Sequence, residues 1–214
     1  MKRIAILICT TGLMCLPLWA WANTDDDLTL LMELLSPIAT LSGDFRQQTL
    51  DARQQSLQVI TGEFVLHRAG PKLLWQTTTP DEQILRVRDD TLWTLDLSLE
   101  QLLIQDLGSM LEQSPALLLT GSASDIGQRY AVERLEQTDS DVLFALIPRD
   151  SSSAIERIEI RFDRRLPERI RLVDSFQQTT ILVFIGLALN EPANDSDFDF
   201  DIPDHFDVID QRTP

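Results

Sequence analysis

Residues 62–77, GEFVLHRAGPKLLWQT, decide the fold class. Two apolar runs flank Ala69-Gly70-Pro71, a tripeptide that is typical of a turn. In the first run, strand alternation places Phe64, Leu66 and Arg68 on one face. The stretch therefore predicts two strands joined by a turn, with a charged side chain on the same face as two large apolar ones.

Similar short runs recur on both sides of this stretch, about one every ten residues. The predicted strands are 45–49, 58–68, 72–77, 82–87, 91–96, 101–105, 130–135, 142–147, 155–162, 169–173, 179–187 and 198–203. This spacing favours an antiparallel sheet or barrel over alternating strand–helix units. We find no internal repeat, and we expect residues 190–197 to form a mobile loop.

Two segments outside the predicted strands have helical patterns. Residues 25–35 carry Leu28, Leu31, Met32 and Leu35 on one stripe, and the helix is predicted to end before Pro37. Residues 107–119 predict two short helical pieces. Both segments are more apolar than a solvated helix requires, so they either complete a packed core or cover a cavity. Periodicity alone favours the packed core.

The first 22 residues have the pattern of a cleaved secretory signal. A basic start is followed by a mostly apolar run and by Ala20-Trp21-Ala22, and the chain then becomes acidic. We expect 23–214 to form a single domain. The alternatives are a membrane anchor and a lipidated Cys15, which the bulky Leu13 and Met14 disfavour. Cys9 and Cys15 both lie in this leader, so the domain is expected to lack thiol chemistry.

The charge is strongly acidic. Asp and Glu number 34 against 18 Lys and Arg, a net charge of −16. This argues against nucleic-acid binding and against electrostatic adhesion to an anionic membrane. Loss of Lys2 and Arg3 with the leader would lower the charge to −18 and leave Lys72 as the single lysine. Adaptation to high salt and ordinary compositional drift explain this equally well.

Catalytic and metal-binding patterns are weak. His67 and His205 are the only histidines, and both cysteines lie in the leader, so we predict no metal site. We also predict no cofactor and no enzymatic activity. The sequence lacks the G-x-S-x-G motif of serine hydrolases. Because acids are abundant, a hydrolase that uses paired carboxylates remains an alternative.

The order of motifs resembles the periplasmic lipoprotein carriers of the LolA family. The matching segments are FRQQ at 45–48, GEFVLHR at 62–68 leading to Trp75, PDEQ at 80–83, TLWTLD at 91–96, EQ at 100–101, SPALLL at 114–119, FDFDIP at 198–203 and DVID at 207–210. The resemblance covers nearly all of the chain after the leader. It implies a mainly β fold, an unclosed antiparallel barrel of about 11 strands covered by short helices over a hydrophobic cavity.

The resemblance also implies a function and a set of partners. Acylated lipoproteins would be received from an inner-membrane ABC transporter and delivered to an outer-membrane acceptor, in the periplasm and by a monomer. Carriage of another acylated lipid is the alternative.

The resemblance further implies a gate and a cavity. Arg68 matches an arginine that binds the closed lid, and Leu35 matches a lid-contact position. The turn after Arg68 is longer than is common in the family. The expected acyl-chain cavity is lined by Phe64, Leu66, Trp75, Trp93, Met110, Leu117 and Leu118.

Overall fold

A computed structural model of the protein describes residues 24–68, 70, 72–88, 90–107, 118–119, 122–192, 198, 202 and 204–212. The predicted leader lies outside these residues, as do 108–117 of the insertion and most of 198–203. No helix among the described residues is long and apolar enough to cross a membrane.

The described chain forms two helices and twelve strands. The helices are α1 (Thr24–Leu35) and α2 (Ala123–Arg129). The strands of the first half are β1 (Thr40–Leu50), β2 (Ser56–His67), β3 (Lys72–Thr79), β4 (Gln83–Arg88), β5 (Thr91–Asp96) and β6 (Gln101–Asp106). Those of the second half are β7 (Tyr130–Gln137), β8 (Asp141–Pro148), β9 (Ile155–Asp163), β10 (Leu166–Asp174), β11 (Thr179–Leu189) and β12 (Asp207–Asp210).

All twelve strands belong to one sheet, in the order β12-β6-β5-β4-β3-β2-β1-β11-β10-β9-β8-β7. Two antiparallel meanders, β1–β6 and β7–β11, are joined by the pairing of β1 with β11. The end strands β7 and β12 do not pair with each other, so the sheet is unclosed, as expected. The sequence did not predict β12 at 207–210, which pairs in parallel with β6.

The two strands predicted on either side of Gly70 form, because their alternation matches the pleat of the sheet. Ala69 and Pro71 of the predicted turn lie outside the described residues. Phe64 lies opposite Trp75, and Leu66 lies opposite Leu73. All four side chains are buried on the inner face. On β11, Gly186 has φ +62°, where a register shift makes room for an extra residue. The left-handed backbone is readily accessible to glycine.

Helix α1 covers the inner face of the sheet. Leu31 and Leu35 of the predicted stripe are buried, and so is Leu34 beside them. They share one apolar core with Ile126 of α2 and with inward side chains of both meanders. The helix ends before Pro37, as predicted, because the residue preceding a proline is disfavoured in helical geometry.

Candidate functional site

Arg68, directly after β2, is hydrogen-bonded to the backbone at Leu119. Its Nη1 donates a hydrogen bond of 2.8 Å to the carbonyl oxygen of Leu119. Leu118 and Leu119 are both buried in the apolar core. Burial lowers the pKa of the Arg68 guanidinium, but arginine titrates so high that the group remains charged near neutral pH. A half-buried cation therefore binds the backbone at Leu119.

Four aromatic side chains on the inner face contact one another, and we call them the aromatic floor: Phe45, Phe64, Trp75 and Phe184. The rings of Phe45 and Trp75 stack with centroids 3.7 Å apart. Phe64 lies 5.6 Å from Trp75 and 5.3 Å from Phe184. Such contacts fix the rings in place, so the floor is a rigid apolar surface.

The structure brings together most of the predicted site residues that it describes. Phe64, Leu66, Trp75 and Leu118 lie in the same apolar core, and Leu35 joins them from the end of α1. Met110 and Leu117 lie outside the described residues. The cavity itself stays a prediction, because it would border residues 108–117.

The prediction that Trp93 lines the cavity is wrong. Its neighbour Leu92 belongs to the apolar core, and strand alternation sends Trp93 to the outer face of β5. There it lies opposite Arg86 of β4 and Ile104 of β6. Trp93 is therefore removed from the acyl-chain site.

Two surface grooves also lie away from the expected cavity. One is lined mainly by Asp44, Arg46, Thr61 and Glu63, and the other by Ser42, Asp44, Glu63 and Val65. These side chains alternate with the buried ones on β1 and β2, so both grooves open on the outer face.

Sequence reasoning missed Asp27, which fixes α1 to the edge of the sheet. Asp27 is only 5% exposed, and its Oδ2 accepts a 2.9 Å hydrogen bond from the backbone N–H of Arg134 on β7. Its Oδ1 lies 3.5 Å from Nε of the same arginine. The carboxylate thus satisfies a donor on the edge strand. In the sequence, Asp27 resembled the acids that commonly occupy the first turn of a helix.

The structural role of Asn190 is also not predicted by the sequence, which indicates a mobile loop at 190–197. Its Oδ1 accepts from the N–H of Ala39 at 2.7 Å and of Thr40 at 3.3 Å. Its Nδ2 donates to the carbonyl of Pro37 at 3.0 Å. The expectation of mobility is therefore wrong for Asn190, which fixes the linker between α1 and β1. No spacing signal connects these distant positions.

The described residues contain no group of three potential metal ligands. What they offer instead is an apolar interior that includes the aromatic floor, with Arg68 bound to the backbone at Leu119. The family model described as outer membrane lipoprotein carrier protein LolA matches residues 36–201.

The chain belongs to the LolA family. Curated relatives support this LolA membership along nearly the whole chain. An outer-membrane lipoprotein carrier protein of Alcanivorax borkumensis is 30% identical over 212 residues, which are 99% of this chain and 100% of the relative. A protein of the same name from Pseudomonas fluorescens is 38% identical over 192 residues, 88% of this chain and 91% of the relative.

Solved structures show the same LolA-like fold at much lower identity. The crystal structure of MucB has a TM-score of 0.53 at 14% identity and covers 84% of this chain and 64% of that one. An uncharacterized conserved protein from Thermus thermophilus also has a TM-score of 0.53, at 8% identity, and covers 85% of this chain and 99% of that one. At these identities the likeness concerns the fold alone.

Proposed function

We propose that the protein is a periplasmic lipoprotein carrier without enzymatic activity. In this proposal the acyl chains of a lipoprotein released by an inner-membrane ABC transporter enter between the sheet and its helical cover. An outer-membrane acceptor then receives them. The single observation that carries the proposal is the bond from Arg68 to the carbonyl of Leu119, whose side chain shares the apolar core with the aromatic floor.

The free energies of acyl-chain burial and of the Arg68 hydrogen bond are compatible with reversible binding of a lipoprotein. Burying an acyl chain gains about 0.8 kcal/mol per methylene group, so about ten methylenes supply about 8 kcal/mol. A hydrogen bond from a charged donor contributes about 1.5–3 kcal/mol. Cargo can therefore displace the Arg68 contact, and the contact can re-form once the acyl chains have left. We propose that re-formation drives the last part of release.

The direct test is to purify the protein from the periplasm and analyse what comes with it by mass spectrometry. Triacylated protein supports the proposal, and free lipid alone would indicate a carrier of another acylated molecule. Release of a cleaved product from an acyl or glycosyl substrate would instead favour the carboxylate hydrolase. An apo protein that takes up no lipoprotein from isolated inner membranes would refute the proposed role.

A further inference from the structure

Ala39, in the linker between α1 and β1, is held on both sides by hydrogen bonds to its peptide groups. Its carbonyl oxygen accepts from the backbone N–H of Arg68 at 2.9 Å. Its own N–H donates to Oδ1 of Asn190 at 2.7 Å. Ala39 is therefore a short hydrogen-bonded bridge between Asn190, directly after β11, and the backbone of Arg68, directly after β2.

Asn190 is itself held in place by several contacts. Its backbone N–H donates to the carbonyl of Thr40 at 2.9 Å, and its Oδ1 accepts from the N–H of Thr40 at 3.3 Å. Its Nδ2 donates to the carbonyl of Pro37 at 3.0 Å. The backbone is left-handed, with φ +56°, a conformation that asparagine adopts more readily than most residues. The side chain thus has a defined position from which it binds Ala39.

The linker depends on these hydrogen bonds for the orientation of its peptide groups. Ile38 and Leu41 are buried in the apolar core on either side of Ala39 and Thr40. Ala39 itself is exposed, so side-chain packing fixes the ends of this short stretch but not the peptide between them. Asn190 supplies the acceptor that orients this peptide.

Arg68 lies where the pairing of β1 with β2 stops. The last pair joins Thr40 to His67, and the bond from Arg68 to Ala39 extends the ladder by one step. From this position the guanidinium donates to the carbonyl of Leu119 at 2.8 Å. Hydrogen bonds weaken steeply outside a narrow range of distance and angle, so a shift of about 1 Å at the Arg68 backbone would weaken the contact.

We propose that Asn190 is a positioning residue for the Arg68–Leu119 hydrogen bond. Through Ala39, it holds the backbone of Arg68 where the guanidinium reaches the carbonyl of Leu119. The proposal deepens the carrier function proposed above and rests on it for its consequence in transfer. Loss of the Asn190 side chain weakens the Arg68 contact, and release of lipoprotein slows because the contact re-forms less readily.

The direct test follows the hydrogen bond itself, through the NMR shift of the Leu119 carbonyl carbon in the full exported protein. Asn190→Gly keeps the left-handed backbone and removes the side chain. We expect it to move the shift in the same direction as Arg68→Leu, which abolishes the bond. Asn190→Asp keeps the acceptor for Ala39 and loses the donor to Pro37, so it should leave the shift nearly unchanged.

A double variant separates positioning from a general effect on the fold. In an Arg68→Leu background, Asn190→Gly should leave the Leu119 shift unchanged, because the bond that Asn190 positions is already absent. A further movement of the shift in this background would show that Asn190 acts on Leu119 by another route, and it would overturn the proposal.

Two control variants test whether any loosening of the chain has the same effect. Thr40→Val removes the 2.6 Å bond from Thr40 Oγ1 to the carbonyl of Glu191, in the same junction, and leaves both bonds to Ala39. Gln54→Gly changes another exposed left-handed residue, with φ +62°, in the β1–β2 turn. Neither should move the Leu119 shift. An equal movement in Thr40→Val would overturn the proposal, because loss of any bond in the junction would then suffice.

Transfer of lipoprotein to purified acceptor measures the consequence for the carrier. Asn190→Gly should slow transfer about 3- to 10-fold, the factor that corresponds to one neutral hydrogen bond, and Asn190→Asp should restore the rate. A moved Leu119 shift with normal transfer would overturn the part of Asn190 in release. An unchanged shift in Asn190→Gly would overturn the positioning role at any transfer rate. If the shift responds as expected but the unmodified protein transfers no lipoprotein, the positioning role stands and the carrier function fails.

Discussion

At the scale of single residues, Arg68 is the position where packing and proposed function meet. Replacing it with leucine removes the donor to Leu119 and makes the interior more apolar. We expect the cover to open about 10- to 150-fold more readily, the range that corresponds to a charged hydrogen bond. Uptake of lipoprotein should persist and transfer to the acceptor should fail.

Transfer measured with purified acceptor checks this prediction, with Arg68→Lys as the matched variant. Lysine keeps the charge and a donor, so it should restore part of the transfer. If the Arg68→Leu variant transfers lipoprotein to the acceptor at the normal rate, Arg68 has no part in release.

Gly62 packs so closely against the aromatic floor that a side chain would not fit at this position. A Cβ at this position would lie 1.9 Å from the Gln76 carbonyl oxygen and 2.8 Å from the Phe45 ring. Because backbone on one side and a stacked ring on the other cannot both move away, Gly62→Ala should destabilise the protein by about 1–3 kcal/mol or more. Urea unfolding measures the change. Gly70→Ala meets nothing within 4 Å and is the control.

Asp210 allows a prediction about pH. Hydrogen bonds from Arg212 lower the pKa of its carboxyl to about 2 from the model-peptide value of 3.8. Because the folded pKa is the lower one, the interaction favours the folded state above about 3.8 and is lost as the pH falls towards about 2. NMR titration of the Asp210 carboxyl should show a midpoint near 2, and Arg212→Gln should move it upward. An unchanged midpoint in that variant would rule out Arg212 as the cause.

At the scale of elements, α1 is held to the sheet by a specific polar contact as well as by leucines. Asp27→Ala leaves the Arg134 N–H without its acceptor at an otherwise unpaired strand edge. We expect a loss of about 1–3 kcal/mol of stability and faster hydrogen exchange at the Arg134 amide. Asp27→Asn keeps an acceptor oxygen and should lose less. Glu33→Ala, on the exposed side of α1, should leave the exchange rate unchanged.

Periodicity predicted those elements whose two faces differ clearly. The leucine stripe of α1 and the alternation at 62–77 both identified the buried face, since one face carried the apolar residues. In β5, Leu92 and Trp93 are both apolar, so alternation showed that they separate but not which one faces inward. The contacts of Asp27 and Asn190 join positions more than a hundred residues apart, and a single sequence contains no local signal for them.

At the scale of the whole molecule, charge repulsion should govern the response to salt. A net charge of −16, or −18 without the leader, repels itself most strongly when screening is weak. The melting temperature should therefore rise as NaCl increases from low concentration to about 1 M, where the screening length falls to about 3 Å. Sulfate at equal ionic strength separates screening from the strengthening of apolar burial. A flat or falling melting temperature would reject the repulsion argument.

The position of β1 between β2 and β11 has a consequence for biogenesis. The register joins Leu41 to Leu189, so the first strand of the sheet completes its pairing only after almost all later strands have been made. In the proposed periplasmic carrier, folding follows export, so β1 cannot complete its pairing until β11 has crossed the inner membrane. Until then one side of β1 presents unpaired backbone donors and acceptors, which can pair with other chains. The emerging chain therefore needs protection from aggregation, and that need ends when β11 arrives.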